Sequence, residues 1–287
     1  GWGEVDLNGR DSFGFRVFAM AKSTDSVTVI ILSRNRPLYL WTCLDSLYRY
    51  TRHPARFILV DNQSDDPGIR EVVAGFERRG MFDEVQWHET NSPKRVAEAI
   101  AQYRYSVGDY LVVIESDVAV FDTRPCWLTR MRKLMDANAK IGILGSYIDG
   151  RDFVDPQKAR QIAPDIDQYT LDGLIKAHSP ERSLPLVPPS DVIIEPFNPP
   201  GRLAMIRKDI IDVIPFASDG VVYQMAKAAG IEAGIATQVR HRHLSLLNFF
   251  DYPDYDVRAR DEFISANETG TPITVHRRST EDPASGR

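Results

Sequence analysis

Val27-Thr28-Val29-Ile30-Ile31-Leu32-Ser33-Arg34-Asn35-Arg36-Pro37 is the stretch on which the reading of this chain turns. Its first six residues are apolar or β-branched with no polar alternation, the pattern of a strand buried on both faces of a parallel sheet. The run breaks into a polar turn, and Pro37 suits the first position of a helix. Leu40, Leu44, Leu47 and Tyr48 then fall at i, i+4, i+7 and i+8, on one helical face. Tyr39, Trp41 and Tyr48 read as packing residues of that helix.

The same unit recurs downstream. Phe57-Ile58-Leu59-Val60 predicts a second strand, Asp61-Asn62-Gln63-Ser64-Asp65-Asp66 its turn, and Ile69, Val72, Val73 and Phe76 the next helix. A third strand is expected from Val85 to His88, and a third helix on Val96, Ile100 and Tyr103. Tyr110-Leu111-Val112-Val113-Ile114 predicts the fourth strand, which stops at Glu115-Ser116-Asp117. Strands alternating with helices imply right-handed crossovers and a Rossmann-like α/β fold with a mostly parallel central sheet. Such sheets bind ligands at the carboxyl ends of their strands. Three of those ends carry polar clusters here: Ser33 to Asn35, Asp61 to Asp66, and Glu115 to Asp117.

The second half is less regular. Leu128, Met131 and Met135 predict a helix, and Ile141-Gly142-Ile143-Leu144 and Leu203-Ala204-Met205-Ile206 predict strands. Val222, Met225, Ala226 and Ala229 mark a last helix with Gly230 as its cap. Ile235 to Val239 reads as a final strand running into His241-Arg242-His243. Residues 150–200 are polar and proline-rich, the character of a lid or substrate-binding segment. We divide the chain into a lead-in over 1–26, one domain over 27–250, and a partly mobile tail over 251–287. Within the domain, 27–120 is the ligand-binding half and 121–250 the loop-rich second half. The lead-in carries one candidate edge strand, Phe13 to Phe18.

Composition excludes several classes. The 287 residues carry 35 Lys+Arg against 40 Asp+Glu, a net charge of −5, which argues against nucleic acid as a partner. Apolar runs such as Tyr110 to Ile114 reach about five residues, far below the roughly 20 that span a membrane. Two cysteines, Cys43 and Cys126, build neither a disulfide framework nor a four-ligand zinc site, and fit a cytoplasmic protein.

The strand-end residues suggest chemistry. Glu115 and Asp117, two positions apart, can both reach one hard cation such as Mg²⁺ or Mn²⁺ and so neutralise a departing diphosphate. Acidic residues also commonly end strands as solvent-facing turns. Asp61 can accept from a nucleobase N–H or a ribose hydroxyl, or it can close an Asx turn before the next helix. His241 and His243 share one face of a strand and could complete a metal site with Asp117, or stand as surface histidines. Asp219 opens the Val222/Met225 helix as a cap or, facing a cleft, as a general base.

Together these residues resemble the GT-A glycosyltransferases, especially the family-2-like group, over roughly 27 to 250. The resemblance is carried by Val29 to Pro37 for the first strand and turn, and by Val60-Asp61-Asn62-Gln63-Ser64-Asp65-Asp66 for the second. Asn91 stands before the third helix, and Glu115-Ser116-Asp117 replaces the family's Asp-x-Asp motif. Phe197 to Arg207 is similar to the family's acceptor-side strand, with Asp219 at the position of its base. The resemblance implies a metal-dependent, inverting transfer of a sugar from a UDP- or GDP-type donor to a glycan or other hydroxyl acceptor. It implies donor contacts from Ser33, Asn35, Asp61, Asn91, Glu115 and Ser116, and Mn²⁺ or Mg²⁺ on Asp117 with Glu115 and His241 or His243. Three departures stand out: Glu115 for an Asp, Ser218 for an acidic neighbour of the base, and Ser92-Pro93-Lys94-Arg95 for a Gly-rich segment. Lys94 or Arg95 then becomes the cation that approaches a phosphate. A sugar nucleotidyltransferase is the nearest rival, but it calls for a Gly-rich phosphate loop after the first strand. A non-catalytic nucleotide- or carbohydrate-binding relative is the other. Peripheral membrane association is compatible with any of these.

Overall fold

β1 (Val27–Ser33) lies between two parallel neighbours, β2 (Ala55–Asn62) and β4 (Tyr110–Glu115), as its unbroken apolar run predicts. The computed structural model describes residues 26–104, 108–149, 160, 164–165, 189–194, 202–214 and 219–244. β3 (Glu84–His88) extends the parallel set beyond β2. On the far side of β4 come β8 (Leu203–Arg207), β6 (Ile141–Ile148), β9 (Glu232–His243) and β5 (Val118–Val120), with β7 (Ile193–Ile194) also paired to β9. Across the sheet the order is β3-β2-β1-β4-β8-β6-β9-β5, and only β5, β7 and β8 run against the common direction.

Period-two alternation sends successive strand residues to opposite faces, where separate helices cover them. Val29, Ile31, Leu59, Val112 and Ile114 pack with α1 (Pro37–Tyr50), α2 (Pro67–Glu77) and α4 (Trp127–Ala137). Ile30, Ile58, Leu111 and Val113 pack on the other face with α3 (Arg95–Tyr103), α5 (Lys208–Ile211) and α6 (Asp219–Ala228). The result is a three-layer α/β domain with a mixed central sheet. Cys43 and Cys126 are free and buried. No described helix is long and apolar enough to cross a membrane.

The helix faces differ from the expected ones at their margins. Leu40, Leu44 and Leu47 are fully buried on α1, joined by Tyr39 and Cys43, but Tyr48 is 44% exposed and Trp41 45%. Position i+8 sits about 80° round the helix from i, and i+1 about 100°, so both leave the inward stripe. Tyr48 instead meets Phe76 edge-on, with the Arg79 guanidinium over its ring. On α6, Ala226 rather than Met225 takes the inward position. Gly230, at φ 72°, ends that helix in the left-handed region as expected of its cap.

The last strand is longer than its apolar core suggests, running from Glu232 through His243. Ser146 opposes Ala236 and Tyr147 opposes Arg240, so Thr237, Gln238 and Val239 are extra residues on β9. An irregularity of this kind re-aims the residues beyond it, and both histidines then turn inward. The Phe13–Phe18 edge strand, most of the 150–200 segment and the 251–287 tail lie outside the described residues.

Candidate active site

The parallel strands β1, β2 and β4 end together, and their loops are tied to one another by side chains. Asn35, at φ 51°, donates its backbone N–H to Ser64 Oγ at 2.7 Å. Its own Oδ1 accepts from the backbone N–H of Asp65 (2.9 Å) and Asp66 (3.2 Å). Asp61 lies opposite Ser33 in the β1–β2 register and is almost wholly buried. It accepts from Ser64 twice, backbone N–H at 2.8 Å and Oγ at 2.5 Å. That is the Asx-turn option of the sequence. Asp66, rather than Ser64, caps α2 by accepting from Gly68 N–H.

Asn62 performs the same service one loop further on. Its Nδ2 donates to Asn91 Oδ1 (2.8 Å) and Ser92 O (3.0 Å), and its Oδ1 accepts from Ser92 N–H (2.9 Å) and Arg95 Nε (3.1 Å). Gln63 Oε1 accepts from Asn91 N–H at 3.0 Å. Asn91 therefore holds the β3–α3 loop against β2. Arg95 is not a phosphate-seeking cation: it is buried, ion-paired with Glu98 at 2.6 Å, and donates to Thr90 O at 2.8 Å. Asn62→Leu keeps the volume but removes all four hydrogen bonds and leaves the buried Arg95 Nε without this partner, so it should cost about 2–4 kcal/mol. Urea denaturation checks this; a loss below about 1 kcal/mol would show that the loops hold without it.

Ser33 Oγ is buried and has no hydrogen-bond partner among the described residues. The chain turns back sharply after β4, where Ser116 N–H donates to Leu32 O at 3.0 Å and Glu115 N–H to Arg202 O at 2.8 Å. Glu115 and Ser116 thus sit at the end of β4, directly beside β1.

Beyond them the three-residue strand β5 pairs with the end of β9, Val118 opposite His243 and Val120 opposite His241. This pairing sets Asp117 against a histidine from over a hundred residues away. His243 Nε2 lies 3.3 Å from Asp117 Oδ2 and accepts from Arg202 Nε at 2.9 Å. Asp117 Oδ1 is buried with no hydrogen-bond partner among the described residues. Burial pushes the Asp117 carboxyl up, but the positive charge around it, Arg202 and Arg36 included, outweighs burial and holds it well below the usual carboxylate range. His241 is placed differently. Its Nδ1 is 2.6 Å from Ser146 Oγ, and burial, with the Arg202 charge adding to it, pushes it down to about 3, so it stays neutral.

The structure thus brings Ser33, Asp61, Glu115, Ser116, Asp117 and His243 to one end of the sheet, with Asn35 and Asn91 bracing its loops. His241 is turned to Ser146 instead of Asp117. Asp219 is the first residue of α6; its side chain lies outside the described residues. No group of three or more His, Cys, Asp or Glu among the described residues is spaced to hold a metal. A hard carboxylate with an orphaned oxygen, beside a neutral imidazole nitrogen, fits Mn²⁺ or Mg²⁺ if ligand oxygens complete the shell. Sequence reasoning missed Arg202. An antiparallel strand begins where its parallel neighbours end, so the first residue before β8 reaches the site, but its direction is not written in its composition.

The family model described as glycosyl transferase family 2 matches residues 28–212. No curated protein matches in sequence. Among solved structures, glucosyl-3-phosphoglycerate synthase from Mycobacterium tuberculosis, in complex with Mn²⁺, UDP-glucose and phosphoglyceric acid, is 14% identical at a TM-score of 0.51. That match covers 87% of this chain and 80% of the synthase. GalNAc-T7 with UDP, GalNAc and Mn²⁺ is 13% identical at a TM-score of 0.50, over 76% of this chain but 44% of that one. At such identities the likeness is one of fold.

Proposed function

The chain belongs to glycosyl transferase family 2 and is a nucleotide-sugar-dependent glycosyltransferase of GT-A fold, and on that premise we propose how its strand-end residues divide the work. The observation that carries the reading is the Asp117–His243 pair, assembled by the β5–β9 pairing at the same sheet end as Ser33 and Asp61. Asp117 and His243 would hold a divalent cation, Mn²⁺ or Mg²⁺, which would supply charge neutralisation at the donor diphosphate. The complexes of the synthase with Mn²⁺ and UDP-glucose and of GalNAc-T7 with UDP and Mn²⁺ support this assignment. Ser33 and Asp61 face the nucleoside. Asp61 already holds Ser64 with both oxygens, but a carboxylate has about four acceptor sites, which leaves room for a base N–H. Ser116 borders the diphosphate, and Glu115, longer than the family's Asp, reaches a sugar hydroxyl rather than the metal. Asn35 and Asn91 act through the loops they brace. Asp219 takes the proton of the acceptor hydroxyl while that oxygen attacks the anomeric carbon and the bond to the diphosphate breaks, which inverts the centre. Two free, buried cysteines suit the cytoplasmic setting we infer.

A thermal-shift panel of UDP, GDP, TDP and CDP, each with and without Mn²⁺, tests the donor site. A ligand at about 100 times its Kd adds about 2.7 kcal/mol, which raises Tm by roughly 5 °C or more at this size. One nucleotide should shift the protein, and only with metal. No shift under any condition would reduce the strand-end clusters to caps and turns.

A further inference from the structure

Three groups converge on one point at the end of β9. His243 Nε2 accepts from Arg202 Nε at 2.9 Å while standing 3.3 Å from Asp117 Oδ2. A neutral imidazole nitrogen offers a single in-plane lone pair, so a nitrogen that accepts from a guanidinium cannot simultaneously ligate a cation. The other Asp117 oxygen is buried and unpartnered among the described residues. Arg202 is the cation that hydrogen-bonds His243, and its backbone is pinned, since its carbonyl accepts from Glu115 N–H at 2.8 Å. Only its side chain is left to move.

We propose that Arg202 is a resident counter-cation of the metal site, occupying the His243 lone pair and balancing Asp117 until a divalent cation displaces it. This rests on the Asp117–His243 reading given above. Metal and guanidinium alternate on one nitrogen. Once displaced, the guanidinium remains tethered at the carboxyl end of β4, where its planar fork matches diphosphate oxygens. Metal alone must therefore expel a cation that has no new partner, whereas metal with diphosphate gives that cation one. Arg202 is a positioning residue that makes metal binding and diphosphate binding favour each other.

The test is direct Mn²⁺ binding, read from the electron paramagnetic resonance of free Mn²⁺ without nucleotide, on wild type, Arg202→Gln and Arg36→Gln. Arg36 is the charge control, since it also acts on Asp117 through its charge. Arg202→Gln should bind Mn²⁺ roughly tenfold tighter, the scale of one charge-assisted hydrogen bond, and Arg36→Gln less than about threefold tighter. Adding UDP should improve Mn²⁺ affinity less in Arg202→Gln than in wild type. Equal affinities in all three, or equal gains in the two variants, overturn the role of Arg202 alone. No Mn²⁺ binding by any of them, with or without UDP, overturns the metal reading and the proposal with it. A second readout needs no variant: ¹⁵N NMR of metal-free wild type should show His243 Nε2 as the unprotonated nitrogen, changing on addition of Mg²⁺. A protonated Nε2 overturns the proposal.

Discussion

Asp117→Asn should lose metal-dependent donor binding and slow sugar transfer by about 10³-fold or more. On the proposed metal reading, the cation would supply several kcal/mol of charge stabilisation at the leaving diphosphate, and each 1.4 kcal/mol is a factor of ten. The substitution keeps the side-chain volume and removes the negative charge that His243, Arg202 and Arg36 now face. The fold should tolerate it, because Asp117 Oδ1 carries no hydrogen bond among the described residues. The informative measurement is a Mn²⁺ titration of nucleotide affinity alongside turnover. Nucleotide affinity that still rises with Mn²⁺ in Asp117→Asn would move the metal elsewhere.

Asp219→Asn should produce the other large effect, with a different signature. A positioned general base contributes about 10²–10⁴-fold, so turnover should fall by that factor. Donor affinity should stay within about twofold, because an interaction made only in the transition state lowers kcat without touching ground-state binding. Donor binding that weakens together with turnover would mean that Asp219 serves the nucleotide sugar instead.

The strand-end clusters of the first half were legible because sequence and structure are local there. A buried parallel strand writes itself as an apolar run, its turn as a polar cluster, and its helix as a 3.6-residue period, all within about thirty residues. Ser33, Asp61 and Glu115 could be found that way. The Asp61 turn was legible too, down to its competing roles. What could not be read was pairing between distant segments. β5 is three residues long and has no periodicity to detect, yet it brings Asp117 to His243. The two histidines were equivalent on paper. The extra residues of β9 and the position of Ser146 separate them, and both depend on a neighbour ninety residues away. Arg202 was invisible for the same reason. Tyr48 and Trp41 erred in the other direction, because a strongly apolar side chain on the flank of a stripe looks like part of it.

The position of β8 also bears on how the protein is made. β4 has one edge paired with β1, and among the described residues its other edge is covered only by residues 203–207, which run antiparallel to it. As the chain leaves the ribosome, the first four strands can pair with one another long before that cover exists. Until Leu203 to Arg207 emerges, β4 presents a bare row of backbone donors and acceptors to any other strand nearby. Shortened versions ending before residue 203 keep that exposed edge permanently and should self-associate. The piece that looks like a complete nucleotide-binding half is therefore not a unit that can be cut out.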